Sequence, residues 1–173
     1  MPGPILTLLQ DRSMELGPLA DRAAGEGAWR HWRLARDETE VAWLLFDRQD
    51  ASVNVLSEPV LLELREILGQ LEENPPQGLV LRSAKPSNFC VGADLNEFTD
   101  LGEGGEILAK LQAAHEIADR LEALPFSTVA ILHGSCLGGG VELALCCRLR
   151  LALPDLKIGL PEVRLGLHPG LGG

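Results

Sequence analysis

Residues Thr128 to Cys147 constrain the fold more than any other stretch of this chain. An apolar run suited to a strand (Thr128 to Leu132) leads through His133-Gly134-Ser135-Cys136-Leu137 into Gly138-Gly139-Gly140, and these open a second apolar run from Val141 to Cys147. A strand that feeds a helix through a glycine run belongs to α/β architecture. Glycines there let backbone N–H groups come close to a ligand, and the first amides of a helix have no partner within it. A nucleotide-phosphate site would carry GxGxxG or GxxxxGK[ST], and neither pattern is present. An oxyanion site for a carbonyl needs only one or two well-aimed amides, which this segment can supply.

Glu142 favours the second reading. A carboxylate in the first turn of an apolar helix loses hydration at a cost unless it is paired or at work. Downstream, Ile158-Gly159-Leu160-Pro161-Glu162 places a second acid after a short strand. A glutamate taken at random is a solvated surface residue, but both of these are flanked by apolar residues and glycines. Two such acids and an amide-rich turn suit general acid–base work on a carbonyl compound. A third segment, Asn88-Phe89-Cys90-Val91-Gly92-Ala93-Asp94-Leu95-Asn96-Glu97-Phe98, turns through Gly-Ala-Asp, where a small side chain leaves the amide accessible. Alone this signal is weak, and Asp94 could equally cap a following helical turn.

The rest of the chain reads as a scaffold. Residues 1–28, with Pro2, Pro4 and Pro18, read as a loosely ordered leader, and regular structure is expected from Trp29. His31 to Arg36 and Val41 to Phe46 flank a turn and read as a β-hairpin. Ser57-Glu58-Pro59 starts a helix whose apolar set is Val60, Leu61, Leu64, Ile67, Leu68 and Leu71, and Pro75-Pro76 stops it. A strand follows at Gly78 to Leu81. The glycines at 102, 104 and 105 read as a surface loop before a helix from Ile107 to Leu124. Val129 to Leu132 and Val141 to Leu145 are expected in the interior.

The formal net charge of −10 argues against nucleic acid or an anionic membrane as partner, and means that an anionic ligand must be held by local groups. No apolar run approaches the ~20 residues of a membrane span, and the acidic N-terminus does not resemble a targeting peptide; a cytoplasmic location is expected. Cys90, Cys136, Cys146 and Cys147 form no zinc pattern and read as reduced buried thiols. His133 and His168 fit no metal motif, and structural roles are expected for both.

Together, FCVGADLNEF, HGSCLGGGVELAL and LPEVRLGLHPGLGG resemble the crotonase (enoyl-CoA hydratase/isomerase) superfamily, and SVNVLSEPVLLELREIL is similar to its segment after the first hairpin. The similarity runs from about Trp29 to Gly173. It is closest to the hydratase domain at the N-terminus of the multifunctional α subunits of fatty-acid β-oxidation complexes. The resemblance implies an α/β fold, a spiral of ββα units, in which residues 29–173 form a partial domain lacking its C-terminal helices. It implies that the amides of Ala93 and Gly139 form the oxyanion hole, that Glu142 activates water, and that Glu162 exchanges a proton with the α-carbon. It also implies that Asn54, Val55 and Leu56, with Ala93, Asp94, Leu95, Asn96 and Gly139, line the substrate groove. Asn96 stands where several relatives have a basic residue.

The activity implied is hydration of 2-trans-enoyl-CoA to 3-hydroxyacyl-CoA, with no metal and no cofactor beyond the coenzyme A of the substrate itself. The partners implied are an acyl-CoA thioester and either copies of the chain or a thiolase subunit. An enoyl-CoA isomerase, or another acyl-CoA enzyme of the superfamily, is one alternative. The other is an acyl-CoA-binding or assembly segment without turnover. Since the chain stops inside Pro169-Gly170-Leu171-Gly172-Gly173, the 173-residue chain is itself expected to be poorly active and prone to self-association.

Overall fold

The computed structural model of the protein describes residues 29–94 and 104–172. The expected leader (1–28), Leu95, Asn96 and Gly102 lie outside the described residues. The expected hairpin is present: β1 (Trp32–Arg36) pairs antiparallel with β2 (Val41–Phe46), with Trp32 opposite Phe46. That register stacks the two rings at a centroid distance of 4.2 Å. The Trp32 indole N–H donates to the Val60 carbonyl at 2.9 Å and so ties the hairpin to the start of α1 (Glu58–Glu73).

Asp37 organises the hairpin turn. Its carboxylate accepts from the Trp43 indole (2.8 Å), the Thr39 hydroxyl (2.7 Å), and the amides of Thr39 (2.9 Å) and Val41 (3.1 Å). These donors, the Trp43 indole foremost, outweigh the opposing effect of burial and hold the Asp37 carboxyl down at about 2, against an ordinary 3.8. A depressed carboxyl contributes stability above its unfolded value and loses it as pH falls through the folded one. Asp37→Asn is therefore expected to lower the thermal midpoint at neutral pH, and the gap to the parent should narrow between about pH 4 and pH 2. A gap that is constant with pH would show that ionisation of Asp37 is irrelevant to the turn.

Helix α1 buries Val60, Leu64, Ile67, Leu68 and Leu71, one stripe at helical spacing. Ser57 stands at the N-cap in extended backbone, but its hydroxyl makes no capping bond, contrary to what its position suggests. The expected strand at Gly78 extends to Ser83 as β3 (Gly78–Ser83). The remaining elements are β4 (Asn88–Cys90), α2 (Gly104–Glu122), β5 (Ser127–Leu132), β6 (Ser135–Leu137), α3 (Gly139–Leu145), β7 (Leu149–Ala152), β8 (Lys157–Gly159) and a 3-10 helix (Pro161–Leu165). Gly104 and Gly105, expected in a loop, instead open α2, where the amides have no intrahelical bond to lose.

The strands form two sheets, β1-β2-β3-β5-β7 and β4-β6-β8, and among the described strands every ladder except the hairpin is parallel, with one isolated antiparallel bridge between Asn88 and Gly134. In each of the pairs β3–β4, β5–β6 and β7–β8 the first strand joins the large sheet and the second joins the small one. Helices α2 and α3 carry the chain from one pair to the next. This is a spiral of ββα units, repeated in topology with no repeat in sequence. One core runs through it, from Trp32, Leu44 and Phe46 through Leu64, Leu68 and Leu81 to Phe89, Cys90, Cys136 and Ala144. Among the described helices, none is long and apolar enough to cross a membrane.

The small sheet is tight where α3 packs on β4. A Cβ on Gly140 would lie 2.4 Å from the Cys90 carbonyl oxygen and 2.8 Å from the Cys90 Cβ, so backbone would have to move. Gly140→Ala is expected to cost at least about 2 kcal/mol of stability, measured by urea unfolding; a change under about 0.5 kcal/mol would show that the contact is slack. Leu145, expected inside, is 48% exposed: α3 buries Gly140 to Ala144, and its last residue turns outward. Among the described residues, six of the eight exposed large apolar side chains fall between Leu145 and Leu167, so burial weakens along the C-terminal third of the described chain.

Candidate active site

Ala93 and Gly139 come from different elements and meet at one point. The segment Asn54 to Leu56 runs beside Val91 to Asp94. Val91 N–H donates to the Asn54 carbonyl (2.9 Å), Leu56 N–H to the Gly92 carbonyl (2.8 Å), and Asp94 N–H to the Leu56 carbonyl (2.9 Å). In the resulting parallel bridge between Leu56 and Ala93, Ala93 directs its own N–H away from Leu56. A Cβ on Gly139 would stand 3.8 Å from the Ala93 nitrogen, and one on Gly92 would stand 3.7 Å from the Gly139 nitrogen. The two amides thus border the same small space. Gly139 is the first residue of α3 and has no intrahelical acceptor. Among the described residues neither amide is bonded, and Ala93 is open to solvent.

The two carboxylates face the adjacent glycines of this turn. Glu142, one turn into α3, is only 3% exposed. Its Oε1 accepts the Leu171 amide at 2.6 Å, and its Oε2 lies 3.9 Å from where a Cβ on Gly139 would be. Glu162 opens the 3-10 helix, and its Oε1 lies 2.8 Å from where a Cβ on Gly138 would be. Glu162 as a whole is half-buried, yet its Oε2 is closed off from solvent and has no hydrogen-bond partner among the described residues. Buried polar atoms are ordinarily satisfied, and a carboxylate oxygen without a protein partner has acceptor capacity left for a ligand. Gly138 is required twice: its φ of 52° disfavours any side chain, and the space beside it holds a carboxylate oxygen. Its amide donates to the Gly159 carbonyl at 2.9 Å, which brings the segment carrying Glu162 alongside α3.

The remaining candidate residues divide in two. Asn54 is fully buried, and its side-chain amide nitrogen lies within reach of the carbonyls of Phe46 (2.9 Å) and Phe89 (3.1 Å) and the Ser83 hydroxyl (2.9 Å). Its Oδ1 accepts the Arg48 amide at 2.9 Å. Asn54 fastens the loop from beneath, and Val55 is also buried. Asp94 pairs with Arg48 at 2.8 Å, a contact between β2's exit and the segment Val91 to Asp94 with no counterpart in the sequence reading. His133 contacts the Lys85 carbonyl through Nε2 at 2.6 Å, a structural role, and His168 is exposed. Gly138 and the Leu171 amide were not singled out from sequence. The first lay inside the quoted glycine run; the second rests on a long-range contact that no local pattern announces.

All four cysteines are free thiols. Burial pushes Cys90 and Cys147 up to about 12 and Cys136 and Cys146 up to about 11, so none is a thiolate nucleophile at neutral pH. A disulfide reagent at about pH 8 should label the native chain far more slowly than the urea-unfolded chain. Rapid labelling of the native chain at Cys90 or Cys136 would contradict the tight packing of the small sheet.

Residues 36–173 match the family model described as enoyl-CoA hydratase/isomerase. The chain belongs to the enoyl-CoA hydratase/isomerase family. It is 42% identical over 142 residues to the fatty acid oxidation complex subunit alpha of Aliivibrio fischeri, a match covering 80% of this chain and 21% of that protein. With the subunit of the same name from Vibrio parahaemolyticus it shares 39% identity over 140 residues, covering 79% of this chain and 20% of that protein. The chain therefore spans about a fifth of the length of these curated relatives. Among solved structures, the enoyl-CoA hydratase from Bacillus anthracis superposes with a TM-score of 0.76 at 31% identity, covering 82% of this chain and 55% of that one. The fold is thus that of the enoyl-CoA hydratase/isomerase family, with its glycine turn bordered by two acids.

Proposed function

We propose that this chain hydrates 2-trans-enoyl-CoA thioesters to 3-hydroxyacyl-CoA. The observation that carries the reading is the convergence of two unbonded amides, Ala93 and Gly139, with two carboxylates that face adjacent glycines. In this reading the thioester oxygen lies between the two amides. Negative charge develops on that oxygen as water adds to the β-carbon, and donors already in place stabilise the enolate-like transition state. Glu142 takes the proton of the attacking water, and Glu162 delivers a proton to the α-carbon. Hydration needs both transfers, whereas moving a double bond can be managed with a single acid, so the pair favours hydratase over isomerase.

Coenzyme A enters as part of the substrate, along the loop Asn54 to Leu56 and the segment that begins at Ala93. No metal or further cofactor is assigned a step. The family membership and the likeness to subunits of fatty acid oxidation complexes support fatty-acid oxidation as the setting, in the cytoplasm, with further copies or a thiolase subunit as protein partners. Initial rates with crotonyl-CoA and with a 3-enoyl-CoA of matched length test the choice. Hydration at least about tenfold faster than double-bond migration is expected; the reverse order would make the chain an isomerase.

A further inference from the structure

We infer that Leu56 sets the spacing of the oxyanion hole, holding one amide by its backbone and the other by its side chain. This rests on the reading of the Ala93 and Gly139 amides given above. Leu56 N–H donates to the Gly92 carbonyl at 2.8 Å, and the Leu56 carbonyl accepts Asp94 N–H at 2.9 Å, so Ala93 is gripped on both sides. The side chain of the same residue reaches the other lip: its Cδ1 lies 3.1 Å from where a Cβ on Gly139 would stand. Leu56 is 6% exposed and belongs to the continuous core, so its position is fixed from behind. Ala93 and Gly139 reach the site from different elements, one just past β4 and the other at the start of α3. Among the described residues Leu56 bonds to the flanks of one lip and fills the space beside the other, whereas the Gly92–Gly138 approach joins backbone to backbone without an intervening side chain.

A gap beside Gly139 would let α3 settle toward the vacated space, and the two amides would no longer point at one oxygen. Catalysis by preorganised donors is sensitive to such shifts, and a displacement near 1 Å can cost about 100-fold. Leu56 is in this sense a positioning residue, since it gives the substrate no donor of its own. The effect should fall on kcat more than on KM, because the amides bind the developing oxyanion more strongly than the ground-state carbonyl.

The test uses the 173-residue chain and two readouts: steady-state hydration of crotonyl-CoA and the infrared carbonyl stretch of bound crotonyl-CoA labelled with carbon-13 at the thioester carbonyl. Hydrogen bonds from the hole lower that frequency. Leu56→Ala is expected to lower kcat by about 100-fold with KM changed by less than about threefold, and to lose most of the frequency shift. Leu56→Met, which fills the same space, should recover both. A folded Leu56→Ala chain with the parental frequency shift would overturn the inference, as would a loss that Leu56→Met does not repair. If Leu56→Ala fails to fold, Leu56→Val carries the same test: a partial loss of the shift supports the inference and an undiminished shift overturns it. A parent chain that binds crotonyl-CoA with no frequency shift at all would sink the oxyanion reading itself, which separates that failure from the failure of Leu56 alone.

Discussion

Replacing either Glu142 or Glu162 with Gln is expected to lower kcat for hydration by at least about 100-fold, with little change in KM. The substitutions keep size and hydrogen-bonding shape. In Glu142→Gln the side-chain oxygen can still accept the Leu171 amide, as Oε1 does at 2.6 Å. The new NH2 group then takes the position facing Gly139, a donor where water needs an acceptor. In Glu162→Gln the atom beside Gly138 can no longer carry a proton to carbon. The two variants should differ in one further respect. Exchange of the α-hydrogens of butyryl-CoA with deuterated water needs only the acid at the α-carbon, so it should survive in Glu142→Gln and vanish in Glu162→Gln. Near-parental turnover by either variant would remove that residue from the mechanism, and the opposite exchange pattern would swap the two roles.

Gly139→Pro should lower kcat for hydration by at least about 100-fold while leaving the chain folded. Proline is favoured in the first turn of a helix, where its missing N–H breaks no intrahelical bond. Gly139 is the first residue of α3, so the backbone there can take the ring. What the substitution removes is the unbonded N–H itself, and loss of one oxyanion donor costs on the order of 3 kcal/mol in the barrier. The ring would also meet Leu56, whose Cδ1 already lies 3.1 Å from a Cβ at this position, so unfolding curves must accompany the assay. A folded Gly139→Pro chain that hydrates crotonyl-CoA at the parental rate would show that the thioester oxygen lies elsewhere.

The parts of the fold governed by local chemistry were legible in the sequence. The hairpin, α1 and its proline stop, and the strand at Thr128 follow from alternation, helical spacing and helix-breaking residues, and they appear within a few residues of their expected bounds. Of the small sheet only the short strand before Glu162 was legible. The strands β4, β6 and β8 have three residues each, too short for a periodic signal, and they exist because the glycines at 134, 138 and 140 let backbones approach. The candidate acids could be picked out because a carboxylate among apolar residues is a conflict that local structure does not resolve. What holds them was not visible: the Leu171 amide reaches Glu142 across 29 residues, and Arg48 reaches Asp94 across 46. Asn54 matched a groove-lining residue by resemblance, whereas its side chain knots the loop together from inside.

The most direct test of the account is to titrate crotonyl-CoA into the 173-residue chain and follow binding and hydration in the same sample. Saturable binding accompanied by formation of 3-hydroxybutyryl-CoA, with turnover removed by Glu142→Gln and binding retained, is the expected result. Saturable binding with no hydration by the parent chain would contradict the account, and would make this chain an acyl-CoA-binding segment rather than a hydratase.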